Sequence, residues 1–384
     1  MNNNFINKII IDDVISGLKN IPNKTFDFCF ADPPYFMQIP ENKKLMRVEG
    51  KEYKGCNDEW DKFVSLDEYK KWTFNWLKEV KRTLKDNGTI CVISGMQSIY
   101  EIGNILRELG YWVINEIIWQ KSNPTPNFKG TRLNNSHETI IWAAKSKQSK
   151  FTFNYKTGKY FNNGKQLGSV WKFPVCSGKE RLHIENGEKL HSTQKPFALI
   201  YQIITLFTKK DDLILDLFAG TMTTSVVAKK TGRFYTAIEK EEKYIKYAKE
   251  RIDNTKKEIG IVENGTLDLK PTKVSMKNMI DKNYFKIGES FIHKNGKNAI
   301  LVDEKGNLEF KHNIQSMHLT AGKMMNLNTR VNGFDYFKVI RDGKLISIDD
   351  IRNKYRKDFN LISKNDLLLK KQNNLENQIL QGKK

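Results

Sequence analysis

The sequence is short of the residues that build disulfide or zinc frameworks. Its four cysteines, Cys29, Cys56, Cys91 and Cys176, stand far apart with no CxxC pair, and its six histidines form no ligand spacing with them. We therefore assign no metal site. Reduced thiols are typical of a cytoplasmic protein, and the cytoplasm is the compartment that we expect.

Long hydrophobic runs are missing as well. No apolar stretch reaches the roughly 18 residues that a membrane helix requires. The opening residues, MNNNFINKIIIDD, are polar, then briefly apolar, then acidic, which is not the pattern of a signal peptide. The sequence therefore predicts no membrane partner.

Acidic residues are scarce relative to basic ones. The chain has 65 Lys and Arg against 44 Asp and Glu, which gives a formal net charge of +21. A polyanion is the usual partner of so basic a chain, and we expect nucleic acid, although a lysine-rich solvated surface would give the same balance. Hydrophobic residues make up 39% of the chain, which is enough for a core and excludes wholesale disorder.

Strand-like and helix-like segments alternate along the first 260 residues. Apolar runs predict strands at 26–31, 89–94, 112–119, 213–217 and 234–238, and helical spacing predicts helices at 67–84, 99–109, 196–208, 223–231 and 241–257. This alternation is typical of an α/β fold with a doubly wound, mostly parallel sheet.

Changes in composition divide the chain further. Residues 120–190 are rich in Asn, Gly, Lys and Thr, and we interpret them as an insertion within a main domain at 1–262. A linker at 263–283 and a small C-terminal domain at 284–357 follow. The tail at 358–384 is either a frayed, solvated end or a helix for a partner.

The most informative stretch is FADPPYF. A strand delivers Asp32 to the carboxyl edge of the predicted sheet, where open α/β folds place their sites. Asp32 and the Pro33 carbonyl can accept hydrogen bonds from an amine, and Pro33 and Pro34 stiffen the turn. Tyr35 and Phe36 offer aromatic faces to a planar base. The alternative is a strand-ending turn with a capping aspartate.

A second motif, LILDLFAGTMTTSVVAKKTG at 213–232, runs from a strand through a tight turn into a helix. Chains build cradles for nucleotide-like cofactors in this way, at a helix N-terminus. The turn has one glycine, Gly220, and Met222 stands where a second glycine is expected. Met222 is either a tolerated variant, whose flexible side chain turns into the helix packing, or a defect.

These motifs resemble those of a known family. DPPYF at 32–36, HSTQKP at 191–196 and DLFAGTMTT at 216–224 stand in the order found in the β-class DNA methyltransferases, which use S-adenosylmethionine to methylate an amine. The resemblance implies a Rossmann-like methyltransferase core with permuted motif order. It assigns Asp32 and Pro33 to the amine of a flipped adenine in double-stranded DNA, and Tyr35 to stacking on that base.

Further segments narrow the resemblance. NPTPNFKGTRLNNSHETIIW at 123–142 is similar to a signature of the adenine-N6 methyltransferases of the cell-cycle-regulated type and their restriction-modification relatives. SMHLTA at 316–321 and NGFDYF at 332–337 resemble parts of their C-terminal domain, so the similarity covers roughly 5–355. It implies GANTC as the site, a nucleoid-associated enzyme, and a homodimer or a cognate restriction endonuclease as further partners.

The resemblance also implies a set of cofactor contacts. They are Asp13, Lys195, Asp216, Phe218, Gly220, Thr221, Thr223 and Glu239. Thr223 and Thr224 can cap the helix that follows. Glu239 suits the ribose hydroxyls but can be a surface charge at a strand end. Lys195 suits the cofactor carboxylate but can be an ordinary lysine at a helix start. The family has Gly-Asp where this chain has Asp12-Asp13.

The insertion is interpreted as the part that binds DNA specifically. The candidate contacts are Asn127, Arg132, Asn135 and His137, together with Phe36 beside the base pocket. Arg can bind guanine and Asn can bind adenine, but each can instead contact a phosphate or cap a turn, and His137 and Glu138 can be structural. We expect the polar connection at 37–62 to become ordered over DNA.

Two other interpretations stay open. An enzyme of this fold that acts on the cytosine amine, on RNA or on a protein glutamine is disfavoured, because such relatives begin the first motif with Ser or Asn rather than Asp. A DNA-binding module that has lost its cofactor would carry Met222 as the lesion. The sequence has no Pro-Cys pair, which fits methylation of an amine rather than of a ring carbon.

Overall fold

Two compact units make up the chain, Met1–Asp268 and Leu269–Lys384. The computed structural model describes residues 3–37, 45–46, 52–53, 58–127 and 130–362. Most of the polar connection at 37–62 and the tail beyond 362 therefore lie outside the described residues. Among those that are described, no helix has the length and apolarity needed to cross a membrane.

The described part of the first unit contains one large sheet and one small pair of strands. Its strands are β1 (Lys8–Ile11), β2 (Phe26–Ala31), β3 (Leu45–Met46), β4 (Glu52–Tyr53), β5 (Leu84–Ser94), β6 (Trp112–Lys121), β7 (His137–Ala144), β8 (Val170–Phe173), β9 (Leu213–Leu217) and β10 (Phe234–Glu239). Eight of them lie side by side in the order β1-β10-β9-β2-β5-β7-β6-β8, while β3 and β4 pair separately. Only β7 runs antiparallel to its neighbours in the described sheet.

Helices cover both faces of this sheet. They are α1 (Val14–Lys19), α2 (Leu66–Thr83), α3 (Ile99–Glu108), α4 (Tyr155–Phe161), α5 (Phe197–Phe207), α6 (Thr223–Lys230) and α7 (Glu242–Asp253). In β2, Phe28 and Phe30 pack with α5, α6 and α7, whereas Cys29 and Ala31 pack with α1, α2 and α3. Because successive strand side chains point to opposite faces, the apolar run of β2 supplies both cores, and the predicted doubly wound sheet is confirmed.

The segment 120–190, predicted as an insertion, contributes two strands to the sheet itself. β7 lies between β5 and β6, and β8 forms the edge. The apolar run TIIWAA of β7 explains this position, because all six of its side chains are buried. Ile140 and Trp142 belong to one core, and Ile141 and Ala143 belong to the other. The part outside the sheet between β6 and β7 is the β6–β7 loop, residues 122–136.

The second unit is an antiparallel sheet with helices. Its strands are β11 (Ser290–His293), β12 (Asn298–Leu301), β13 (Asn307–Phe310), β14 (Asn313–Ser316), β15 (Phe337–Arg341) and β16 (Lys344–Ser347), and its helices are α8 (Met276–Asp281), α9 (Met317–Met324) and α10 (Ile348–Asp358). The strand order is β14-β13-β12-β11-β15-β16. The helices pack on a core that contains Phe291, Leu308 and Phe337.

The stretch 263–283, predicted as a linker, is not one throughout. From Leu269 onward it belongs to the second unit, and it includes α8, which Ser275 starts with a capping box. Met276 and Met279, three residues apart and therefore on one helix face, are buried in the core of that unit. The polar residues around these two methionines hide the helical pattern in the sequence.

Gly322 in α9 is a position where the second unit tolerates no side chain. A Cβ there would collide with the carbonyl oxygen of Thr329, a backbone atom that cannot move aside cheaply. We expect Gly322→Ala to reduce the free energy of unfolding of this unit by roughly 3 kcal/mol. Scanning calorimetry would measure the change. Gly168→Ala, which places its methyl in open space, is the control, and an unchanged transition in Gly322→Ala would contradict the packing.

Candidate active site

Three parallel strands end together at one edge of the sheet. Ala31 of β2 lies in register with Leu217 of β9, which lies in register with Ile238 of β10. The residues at the ends of these strands are therefore neighbours, and they include Asp32, which follows β2, and Glu239, the last residue of β10. Ligands of open α/β sheets bind outside the carboxyl ends of the strands, which is this edge.

A pocket at this edge brings together most of the predicted cofactor residues with Asp32. Its lining consists of Phe30, Asp32, His191, Thr193, Gln194, Lys195, Asp216, Phe218, Ala219, Gly220, Thr221, Thr223 and Thr224. Asp13 and Glu239 are not among them. Asp13 is exposed and caps α1 by accepting a hydrogen bond from the Ile15 amide at 2.9 Å.

The carboxylate of Asp32 is held at one oxygen. Oδ2 lies 2.6 Å from Nζ of Lys195, whose side chain is 6% exposed. Oδ1 is buried and has no hydrogen-bond partner in the described part of the chain. Burial raises the pKa of Asp32, and the Lys195 ammonium opposes the rise. The pocket therefore contains an acceptor atom with an unmet hydrogen-bonding capacity, and Lys195, expected on the cofactor carboxylate, is paired with Asp32.

The turn after β2 is fastened by residues distant in sequence. The hydroxyl of Tyr69 donates to the Pro34 carbonyl at 2.9 Å. The buried carboxylate of Asp61 accepts the amides of Phe36 and Met37 at 2.9 and 2.8 Å. Asp61 was not predicted as a site residue, because nothing in its local sequence marks a contact 25 residues away.

Phe36 has a different environment from the one expected for a DNA contact. Its backbone is left-handed, with φ of 55°. Its ring lies 5.4 Å from Tyr69 and 6.2 Å from Phe63, within an aromatic cluster under the turn. Tyr35, by contrast, donates from its hydroxyl to Oε2 of Glu138 at 2.7 Å.

The loop between β9 and α6 has an unusual backbone. Phe218, Gly220 and Met222 all lie in the left-handed region, with φ of 61°, 49° and 55°. A Cβ at Gly220 would come within 3.2 Å of the His191 ring, so this position needs glycine for space as well as for conformation. Met222 is fully buried in the core, as its flexible side chain predicted, but it precedes the helix in a left-handed rather than a helical conformation.

The expected threonine cap of α6 is wrong. The residue at the cap position is Met222, and no side chain accepts a hydrogen bond there. Asp216 of β9, the strand before the loop, takes over this role: its Oδ2 accepts the amide of Ser225 at 3.0 Å and the Ser225 hydroxyl at 2.6 Å. Burial raises the pKa of Asp216 to about 7. Thr223 instead accepts a hydrogen bond from Arg251 at 3.1 Å.

Glu239 ties the same loop to β10. Its carboxylate accepts the Gly220 amide at 2.6 Å and the Glu241 amide at 2.8 Å. Burial raises the pKa of Glu239, and these amides oppose the rise. Glu239 is therefore not the surface charge that was the alternative, since its side chain is buried against the loop.

His191 is a pocket residue that the residue-by-residue assignment missed, although it begins the HSTQKP motif. Its ring stacks on Trp60 at 5.6 Å and meets the edge of Tyr244 at 4.8 Å. Burial lowers the pKa of His191 to about 4. The imidazole that faces Gly220 is therefore neutral at pH 7.

The β6–β7 loop presents its candidate residues to solvent. Arg132 and Asn135 are exposed, and so is His137, the first residue of β7. Asn127 donates from its side chain to the Arg132 carbonyl at 2.8 Å and so also shapes the loop. Residues 128 and 129 lie outside the described part of the chain.

Comparison with known proteins identifies the family. The family described as DNA methylase, N6_N4_Mtase, matches residues 26–250. The Type II methyltransferase M.HinfI of Haemophilus influenzae is 45% identical over 353 residues, which cover 92% of this chain and 98% of that protein. The chain belongs to this family of DNA methylases.

Two further proteins resemble this DNA methylase. The Type II methyltransferase M2.DpnII of Streptococcus pneumoniae is 36% identical over 250 residues, or 64% of this chain and 90% of that protein. Among solved structures, the M1.HpyAVI-SAM complex is 26% identical, covers 64% of this chain and 98% of its own, and superposes with a TM-score of 0.48.

The depressed pKa of His191 makes the stability of the methylase depend on pH. An unfolded histidine titrates near 6.5, so between pH 6.5 and about 4 the unfolded state binds more protons than the folded state. The contribution of the neutral His191 to the free energy of unfolding is therefore complete above pH 6.5, and it is lost as the pH falls toward 4. We expect His191→Phe, which keeps an aromatic ring beside Trp60, to flatten this decline.

Tryptophan fluorescence during urea unfolding would measure the effect, because all seven tryptophans lie in the first unit. The quantity compared is the slope of the free energy of unfolding against pH between 6.5 and 4. His183→Gln changes an exposed histidine and should retain the wild-type slope. A His191→Phe slope equal to that of the wild type would contradict the assignment.

Proposed function

We propose that this DNA methylase is adenine-specific and transfers a methyl group to the N6 amine of an adenine flipped out of duplex DNA. Oδ1 of Asp32 carries the proposal, because it is a buried acceptor without a partner among the described residues. An exocyclic amine supplies the donor that this atom lacks. Since the family name covers N6 and N4 enzymes, adenine is chosen on Asp32 itself, where cytosine-amine relatives generally have Ser.

The methyl donor is S-adenosylmethionine, and the pocket fits it. Gly220 lies against His191 without room for a Cβ, and Asp216, Phe218, Thr221 and Thr223 line the pocket together with it. When bound, the cofactor supplies an activated methyl group on a sulfonium. Glu239 holds the Gly220 amide and remains our candidate for the ribose hydroxyls, and Asp13 for the adenine end of the cofactor.

Catalysis in this scheme consists of positioning and electrostatics. An aromatic amine donates its lone pair into the ring and is a weak nucleophile. Hydrogen bonds to Asp32 and to the Pro33 carbonyl would draw the amine toward tetrahedral geometry and free the lone pair. The neighbouring carbonyl, that of Pro34, is occupied by Tyr69. Lys195 keeps the Asp32 carboxylate oriented, and Tyr35 stacks on the base.

For the DNA site we propose GANTC, read by the β6–β7 loop. Arg132 and Asn135 are exposed there, as is His137 at the start of β7, and Arg and Asn are the side chains best suited to guanine and adenine edges. Asn127 supports the loop, and Phe36 supports the base pocket. We extend the proposal to DNA contacts by the second unit, to a cytoplasmic enzyme acting on nucleoid DNA, and to a homodimer or a cognate restriction endonuclease as partners.

The target base can be tested by removing a single amine. Transfer of labelled methyl is expected for duplexes that contain GANTC. It should fall to background when purine, which lacks only the amine, replaces the target adenine in both strands. A duplex with the same bases in shuffled order is the control for sequence. Equal incorporation in all three duplexes would reject both the site and the base.

Asp32→Asn tests the acceptor. The amide keeps the shape but loses the charge and one acceptor oxygen, so kcat is expected to fall roughly 100-fold to 1000-fold. Cofactor affinity, measured by equilibrium binding of labelled S-adenosylmethionine, should change little. Asp86→Asn alters an exposed aspartate paired with Lys24 and serves as the control. Wild-type kcat in Asp32→Asn would refute the mechanism.

A further inference from the structure

Glu138 joins the base pocket to the β6–β7 loop. Its Oε2 accepts the hydroxyl of Tyr35 at 2.7 Å. Its Oε1 lies 2.7 Å from Nζ of Lys121, and the two side chains are only 13% and 16% exposed. One carboxylate therefore binds Tyr35, in the turn after β2, with one oxygen and Lys121, at the end of β6, with the other.

The charges around Glu138 make this link a strong one. Burial opposes its ionisation, but the ammonium groups of Lys195 and Lys121 outweigh burial and hold the pKa of Glu138 below its usual value. Burial and the carboxylates of Asp32 and Glu138 raise the pKa of Tyr35 well above its usual value. A protonated phenol thus donates to an ionised carboxylate, and hydrogen bonds of this kind are stronger than neutral ones.

Tyr35 has little freedom once this bond is formed. A Cβ at Gly95 would come within 3.3 Å of the Tyr35 ring, so the ring lies against a backbone that only glycine leaves open. Nζ of Lys195 lies 5.2 Å from the centre of the same ring. The hydrogen bond from the Tyr35 hydroxyl to Glu138, together with these contacts of the ring, therefore sets the orientation of the ring on which a base would stack.

The chain connectivity places the ion pair at the root of the β6–β7 loop. Lys121 is the last residue of β6 and Glu138 the second residue of β7. Glu138 lies opposite Trp119 in the antiparallel pair, and the amide of Lys121 donates to the Ser136 carbonyl at 2.8 Å. The Lys121–Glu138 pair therefore joins the two ends of the loop, and the same carboxylate of Glu138 supports Tyr35.

We propose that Glu138 is a positioning residue that couples binding of the target sequence by the β6–β7 loop to the placement of Tyr35 in the base pocket. A duplex that seats the loop correctly keeps the Lys121–Glu138 pair and the Tyr35 hydrogen bond intact. A duplex with one wrong base pair next to the target base disturbs the Lys121–Glu138 ion pair and loosens Tyr35. The inference rests on the proposed function in its assignment of the loop to sequence recognition and of Tyr35 to stacking.

Discrimination between duplexes tests the coupling. The measured quantity is the ratio of kcat/KM for the best duplex to kcat/KM for the same duplex with one flanking base pair changed. Glu138→Gln keeps an acceptor for Tyr35 but removes the charge that pairs with Lys121. We expect it to lower the ratio at least about fivefold, the lower end of typical coupling between sites.

Lys121→Gln breaks the same ion pair from the other side and should lower the ratio by a similar factor. The double variant should be no worse than the single ones, because both changes remove one interaction. Lys172→Gln removes a lysine charge from the adjacent strand β8, where the residue is exposed, and should leave the ratio unchanged. If tryptophan fluorescence shows that Glu138→Gln does not fold, the ratio measured for Lys121→Gln alone decides the test.

Equal losses on both duplexes, or additive effects in the double variant, would overturn the coupling and leave Glu138 a structural residue. The ratio is measured on whichever amine the wild-type enzyme methylates. A wild type that methylates cytosine would therefore refute the adenine proposal and still allow this measurement. A wild-type ratio in both single variants would refute only the coupling.

Discussion

The site depends on a buried ion pair at the sheet edge, between Asp32 and Lys195. Removing a carboxylate from water is costly unless a positive charge and hydrogen bonds compensate. Lys195 satisfies one oxygen of Asp32, and the other is left to accept a donor from outside the described chain. In the proposed function this acceptor is in place before the substrate arrives, and the neighbouring loops have to hold that geometry.

Carboxylates hold those loops, each from a different part of the chain. Asp61 binds the backbone of the turn after β2, Glu239 binds the amide of Gly220, and Asp216 binds the first turn of α6. Each bond joins an acidic side chain to a backbone amide, a charge-assisted contact. In a chain with an excess of 21 positive charges, acidic side chains are thus used to shape this edge of the sheet.

The sequence predicts the parts of this site that are local. Apolar runs identify β2 and β9, and their ends identify Asp32 and the loop of Gly220. Contacts between distant segments carry no local pattern: Lys195 lies 163 residues from Asp32, and Glu138 lies 103 residues from Tyr35. The same limit explains the supposed linker, because its buried methionines pack in a core formed by later residues. The threonine cap is wrong for a more local reason, since Asp216 of the preceding strand β9 binds the first turn of α6 instead.

Met222 has a consequence for how this loop can change by mutation. Glycine there would relieve a left-handed backbone, a strain of roughly 1–2 kcal/mol. It would also empty the space of a fully buried methionine, and truncating such a side chain typically costs about 2–5 kcal/mol. The second loss is the larger. A glycine at 222 taken alone would therefore lower the free energy of unfolding, and a filled core below the loop favours methionine over the two-glycine form of the motif in this chain.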